Sequence, residues 1–123
     1  MVLVDTSVWI GFLANRAPYA AGLDALLSRG DVVGHELVYG ELLIGDRGGR
    51  QRLLTAYEQL RQATPVPHRD VVAFVRHRNL HGRGVGWIDI HLLASAIVGR
   101  FQVWTADPRF RALSAELDVA HLA

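Results

Sequence analysis

The stretch VLVDTSVW, residues 2–9, changes character in its middle. Residues 2–5 form a short apolar run closed by Asp5, the pattern of a strand buried on both faces of a sheet. Beyond it Val8, Trp9, Phe12 and Leu13 recur at helical spacing, so a strand hands over directly to a helix. The pattern returns along the chain. DVVG at 31–34 reads as a strand before a helix over 35–45, and FQVWT at 101–105 as a strand before a helix opened by Pro108. Helices are expected near 20–29, 50–63 and 88–100, with another starting at about 71 and ending near NLHG. TPVPHRD at 64–70 reads as an extended connector and LDVAHL at 117–122 as a final strand. Short strands alternating with helices predict an α/β fold: a central parallel β-sheet flanked by α-helices, with residues 1–123 as a single domain.

Composition narrows the chemistry. Half of the 123 residues are apolar and 20% are charged, an ordinary globular balance. With no cysteine, disulfides, thiolate-bound zinc and cysteine nucleophiles are excluded together, and a cytoplasmic location is the default. No apolar run approaches the roughly 20 residues of a membrane-spanning helix, and no targeting segment is read before VLVD. The net charge is only +1, so any phosphate binding must be local. All 13 basic residues are Arg, which removes the lysine that a phosphate-binding P-loop or a Schiff base requires.

Four of the 12 acidic residues resist routine explanation. Glu41 has Leu37, Val38 and Ile44 on its helix face, and Asp89 has Leu92, Leu93 and Ala96. A carboxylate turned toward a core costs several kcal/mol unless a cation or a donor meets it. Asp5 and Asp107 follow strands, at the carboxyl edge where open α/β sheets bind ligands. Asp107, followed by Pro108, also suits a plain helix N-cap. Crowded carboxylates raise one another's pKa, so together they call for a cation. Oxygen-only ligands suit Mg2+ or Mn2+, ions whose usual task is phosphate-ester chemistry.

These residues resemble the PIN-domain ribonucleases, and among them the compact VapC-type toxins of toxin–antitoxin pairs. The likeness rests on VLVDTSVWI, ELVYGELLIG, WIDIHLLASA and VWTADPRF, which span nearly the whole chain in the family's order. It implies an endoribonuclease that hydrolyses RNA phosphodiester bonds with a water activated by Mg2+ or Mn2+, leaving a 5′-phosphate and a 3′-hydroxyl. Asp5, Glu41, Asp89 and Asp107 are then the metal ligands, and Ser7 and Thr105 the hydroxyls that orient a carboxylate or a water. With Asp5 on the metal, Thr6 or Ser7 is left to cap the helix or to do that orienting. A homodimer and a cognate antitoxin covering the pocket are implied as well, with Trp9, Phe12 and Leu13 as candidates for the partner surface.

VRHRNLHGRG at 75–84 gathers Arg76, Arg78 and Arg83, candidates with Arg109 for binding RNA phosphates. His77 and His81 have zinc-protease spacing, but Arg78 stands where the general-base glutamate belongs. Two other functions compete. A haloacid-dehalogenase-like phosphatase also begins with a strand and an Asp, but Ser7 replaces its second Asp and its lysine is missing. A catalytically inactive RNA- or antitoxin-binding module is the other. Neither the RNA cleaved nor the antitoxin is legible in these residues.

Overall fold

A computed structural model describes residues 1–122. In chain order the elements are β1 (Val2–Val4), α1 (Thr6–Leu13), α2 (Tyr19–Ser28), β2 (Val32–Gly34), α3 (Glu36–Ile44), α4 (Gln51–Glu58), β3 (Arg61–Gln62), α5 (His68–Arg78), α6 (Trp87–Gly99), β4 (Gln102–Trp104) and α7 (Pro108–Glu116). The strands lie in the order β3-β2-β1-β4, and each neighbouring pair is parallel. The fold is α/β, as the alternation of strand and helix predicts.

This order places the functional edge. The chain winds outward from β1 to β2 to β3, then crosses back to lay β4 on the other side of β1. The strand order therefore reverses between β1 and β4, and the crevice beyond their carboxyl ends is where such sheets bind ligands. Val4 is in register with Trp104, and the Asp5 N–H donates to the Trp104 carbonyl at 2.9 Å. Asp5 and Thr105, a hundred residues apart, thus leave the sheet side by side.

β1 is buried throughout, and Leu3, Val8, Leu92, Leu93 and Phe110 form the dry centre of one continuous core. Trp9 belongs to it at 1% exposure, its ring edge-on to Tyr57 at 5.4 Å. Of the three residues that could be either core or partner surface, Trp9 is core, whereas on the same helix Leu13 is 41% exposed and Phe12 partly buried.

Expectations fail at both edges of the sheet. The helix expected over 50–63 stops at Glu58, and β3 follows it unannounced. Arg61 and Gln62 are both exposed and make an edge strand by backbone pairing to β2 alone, so no apolar pattern marks them. At the other edge, the strand expected over 117–122 shrinks to a single bridge between Val103 and Ala120. The pairing of Glu58 with Arg61 is also absent, because Glu58 accepts instead from the Tyr39 hydroxyl at 2.7 Å.

A buried histidine ties three helices together. His35, fully buried, caps α3 by accepting from the Leu37 N–H on Nδ1 at 3.1 Å. Its Nε2 lies 3.0 Å from the Ser95 hydroxyl of α6, which donates onward to the Thr64 carbonyl. Tyr57 of α4 accepts from the His35 N–H at 2.8 Å. Because Ser95 spends its proton on Thr64, Nε2 must be the protonated nitrogen and the imidazole is neutral. Burial, then His91, lowers its pKa to about 4.

Candidate active site at the carboxyl edge

Asp5 is the most enclosed of the four carboxylates, at 5% exposure. It occupies the N-cap position of α1, yet its side chain caps nothing. Oδ2 accepts from the Ser7 hydroxyl at 2.7 Å and from the Thr105 hydroxyl at 2.8 Å. The Ser7 oxygen in turn accepts from the Ala106 N–H at 3.0 Å, and the Thr105 oxygen from the Asp107 N–H at 3.1 Å. Two hydroxyls therefore lash the ends of β1 and β4 together and fix the Asp5 side chain through Oδ2, with Oδ1 free of any hydrogen bond among the described residues.

The other hydroxyl of the opening stretch has a different task. Thr6 donates to Oε1 of Glu41 at 2.6 Å, fixing a carboxylate that arrives on α3 from 35 residues away. Glu41 is half-buried and Ile44, assigned from sequence to its inward face, is 88% exposed. Glu41 thus lies at the rim of a hollow, not in the core, and neither hydroxyl serves as a helix cap. Sequence reasoning gave Thr6 only that capping or orienting choice; three polar residues in a row was the signal for more.

Asp89 is the electrostatic centre of the group. It sits in the first turn of α6, half-buried. Burial pushes its pKa up to about 7, with further increments from the charges of Asp5, Glu41 and Asp107. Gly86, at the N-cap, lies close to the carboxylate: a Cβ there would be in ordinary contact with Asp89 Oδ2 at 3.9 Å. Glu41, Gly86, Trp87, Ile88 and Asp89 line a hollow of about 390 Å³. Asp107 is the N-cap of α7, as its neighbour Pro108 allows: Oδ1 accepts from the Arg109 N–H at 2.9 Å.

Among the described residues, none of the four carboxylates is in an ion pair; the pairs present are Arg29 with Asp31 and Arg83 with Glu116. Nor do any three His, Asp or Glu side chains there close into a ready-made metal cage. Asp89 feels the charges of the other three without being hydrogen-bonded to them. Such a donor set, carboxylate oxygen with hydroxyl support and no imidazole or thiolate, fits a hard cation that keeps part of its water shell.

The arginines scatter. Arg109 stays at this edge, beside Asp107, its side chain filling the space a Cβ on Gly84 would need. Arg83 is spent on Glu116 of α7. Arg78, on the last turn of α5, lines a groove with Phe101 and Gln102 at the start of β4, the opposite edge of the sheet. Arg76 lines a separate surface groove along α5 with Arg69, Phe74 and His77. Arg76 and Arg78 thus line grooves that none of the four carboxylates lines, because the antiparallel run of a crossover helix carries its C-terminus away from them, whereas Arg83 neighbours Gly84, against which Arg109 packs.

The PIN domain family model matches residues 2–116. Ribonuclease VapC32 from two strains of Mycobacterium tuberculosis, CDC 1551 and H37Rv, is 43% identical over 121 residues, covering 98% of this chain and 95% of the relative. Two solved structures share the fold at 24% identity. FitAcB from Neisseria gonorrhoeae superposes with a TM-score of 0.67, covering 98% of this chain and 95% of that one. FitAB bound to a DNA fragment gives 0.68, covering 100% and 98%.

Proposed function

This chain belongs to the PIN-domain family, and from that premise we propose that it is a divalent-metal-dependent endoribonuclease, the toxin of a toxin–antitoxin pair. The observation that carries the reading is a set of carboxylates at the carboxyl edge, Asp5, Glu41 and Asp107 each fixed by a hydrogen bond and Glu41 and Asp89 lining one hollow, with no ion-pairing base among the described residues. A group so placed gains most from an added positive charge. The ribonuclease name of relatives 43% identical over nearly their whole length supports the substrate.

Asp5, Glu41, Asp89 and Asp107 are the groups that would hold the cation. When bound, Mg2+ or Mn2+ supplies Lewis acidity toward a phosphate and makes a water more acidic. The protein's own part is positional. Ser7 and Thr105 aim Asp5, Thr6 aims Glu41, and the backbone of Arg109 holds Asp107. Fixing these rotamers before substrate arrives removes ordering that the reaction would otherwise require. Arg109, next but one to Asp107 in the chain, is the arginine that would meet a phosphate of the RNA strand.

The partners follow the family. A cognate antitoxin covering the pocket, a homodimer of residues 1–123 and a cytoplasmic setting complete the proposal. Among the described residues no helix is long and apolar enough to cross a membrane.

The test is cleavage of single-stranded RNA by purified protein with Mg2+ or Mn2+, beside Asp5→Asn, Glu41→Gln and an EDTA control. Wild-type cleavage that both substitutions and EDTA abolish is the expected result. Either variant cutting at the wild-type rate overturns its assignment; a wild type that binds RNA and never cuts it makes the chain a binding module.

A further inference from the structure

We propose that Trp87 is the platform on which a base of the RNA strand stacks beside the carboxylate pocket, an inference resting on the ribonuclease reading above. The chain has three tryptophans. Trp9 and Trp104 are buried at 1% and 4% exposure, whereas Trp87, the first residue of α6, is 42% exposed. One exposed aromatic residue is ordinary by itself. This one is held in place. The His68 ring, from the start of α5, meets it at 5.4 Å and 62°, and the His91 ring, one turn along α6, at 5.1 Å and 85°. Both contacts are T-shaped, so two imidazoles from different helices fix the orientation of an indole that stays open to solvent.

Its position gives the exposure a use. Trp87 shares the wall of the hollow of about 390 Å³ with Glu41 and Asp89, so an aromatic surface and two of the carboxylates open onto the same space. Single-stranded nucleic acid is bound by this combination of elements: a backbone site with a rigid ring beside it on which a base lies flat. Stacking tolerates any base, so Trp87 supplies affinity and register along the strand, and leaves sequence choice to other contacts. The chemistry stays with the carboxylates. Trp87 is a positioning residue, expressed in KM and not in kcat.

Two measurements on the intact chain test this. First, a short mixed-sequence single-stranded RNA is titrated in EDTA, with binding followed by anisotropy of a dye on the RNA and, separately, by tryptophan emission with unlabelled RNA. Stacking quenches the exposed indole while the two buried ones change little. The expected result is quenching that tracks binding in the wild type and is lost in Trp87→Ala. Second, with Mn2+ present, Trp87→Ala raises KM about ten- to a hundredfold with kcat within about threefold, and Trp87→Phe restores most of the loss. RNA that binds without quenching, an unchanged KM in Trp87→Ala, or a loss in kcat alone overturns the proposal while the nuclease reading stands. If the wild type cuts no RNA, the nuclease reading falls and the emission titration decides by itself: quenching on binding keeps the platform, and its absence, or no binding at all, removes it.

Discussion

Replacing Asp89 by Asn should make the metal-free protein more stable, although it damages the site. A raised carboxyl pKa means that the folded chain holds this proton more tightly than the unfolded chain does. Stability from that group is complete below the unfolded value of 3.8 and drains away as pH climbs to the folded value of about 7. The gap of about three units sets a ceiling of about 4 kcal/mol at 1.36 kcal/mol per unit. Asp89 is only half-buried, so solvent screening reduces this to about 2 kcal/mol. The variant carries no charge to repel. Urea unfolding in EDTA should show it level with the wild type at pH 4 and about 2 kcal/mol more stable at pH 8, or about 8 °C in Tm for a chain of this size. Excess Mn2+ should then stabilise the wild type by mass action and the variant much less. Equal stabilities at pH 8, or a difference that ignores pH, would refute the electrostatic account of the pocket.

Two further outcomes are expected. Thr6→Val, which leaves Glu41 without its 2.6 Å donor, should cut RNA cleavage about tenfold while shifting stability by no more than about 1 kcal/mol; a wild-type rate would show that Glu41 needs no orienting. His35 contributes with the opposite sign from Asp89: its pKa is lowered to about 4, so its stabilisation is complete above the unfolded value of 6.5 and is lost as pH falls toward 4, by up to about 3 kcal/mol. Measured in Asp89→Asn, which removes the opposing contribution, unfolding free energy should drop across that window, and a flat profile there would sink the neutral-imidazole assignment.

What could be read from the chain divides along physical lines. Strands buried on both faces announce themselves by continuous apolar runs, so β1, β2 and β4 were legible and the crevice beside Asp5 with them. β3 was not, because an exposed edge strand is made by backbone pairing that leaves no mark on its side chains. The conflict at Asp89 was visible because its helical neighbours Leu92, Leu93 and Ala96 are truly buried. At Glu41 the same argument picked out a residue of the pocket from a mistaken premise, since Ile44 faces solvent. Long-range pairings stayed hidden: Thr6 with Glu41 and Arg83 with Glu116 join residues more than thirty apart, and no local pattern encodes them. The exposure of Trp87 is not legible either, because an aromatic residue at the start of an apolar helix carries the same local pattern as a core residue.

The pairing of the first strand with the last has a consequence for how the molecule comes into being. Asp5 precedes by 100 residues the Thr105 hydroxyl that holds its Oδ2, so synthesis reaches the carboxylate long before the group that aims it. A chain broken off early therefore lacks one wall of its own pocket. The carboxyl-edge crevice is thus assembled only when β4 has been made and has paired with β1.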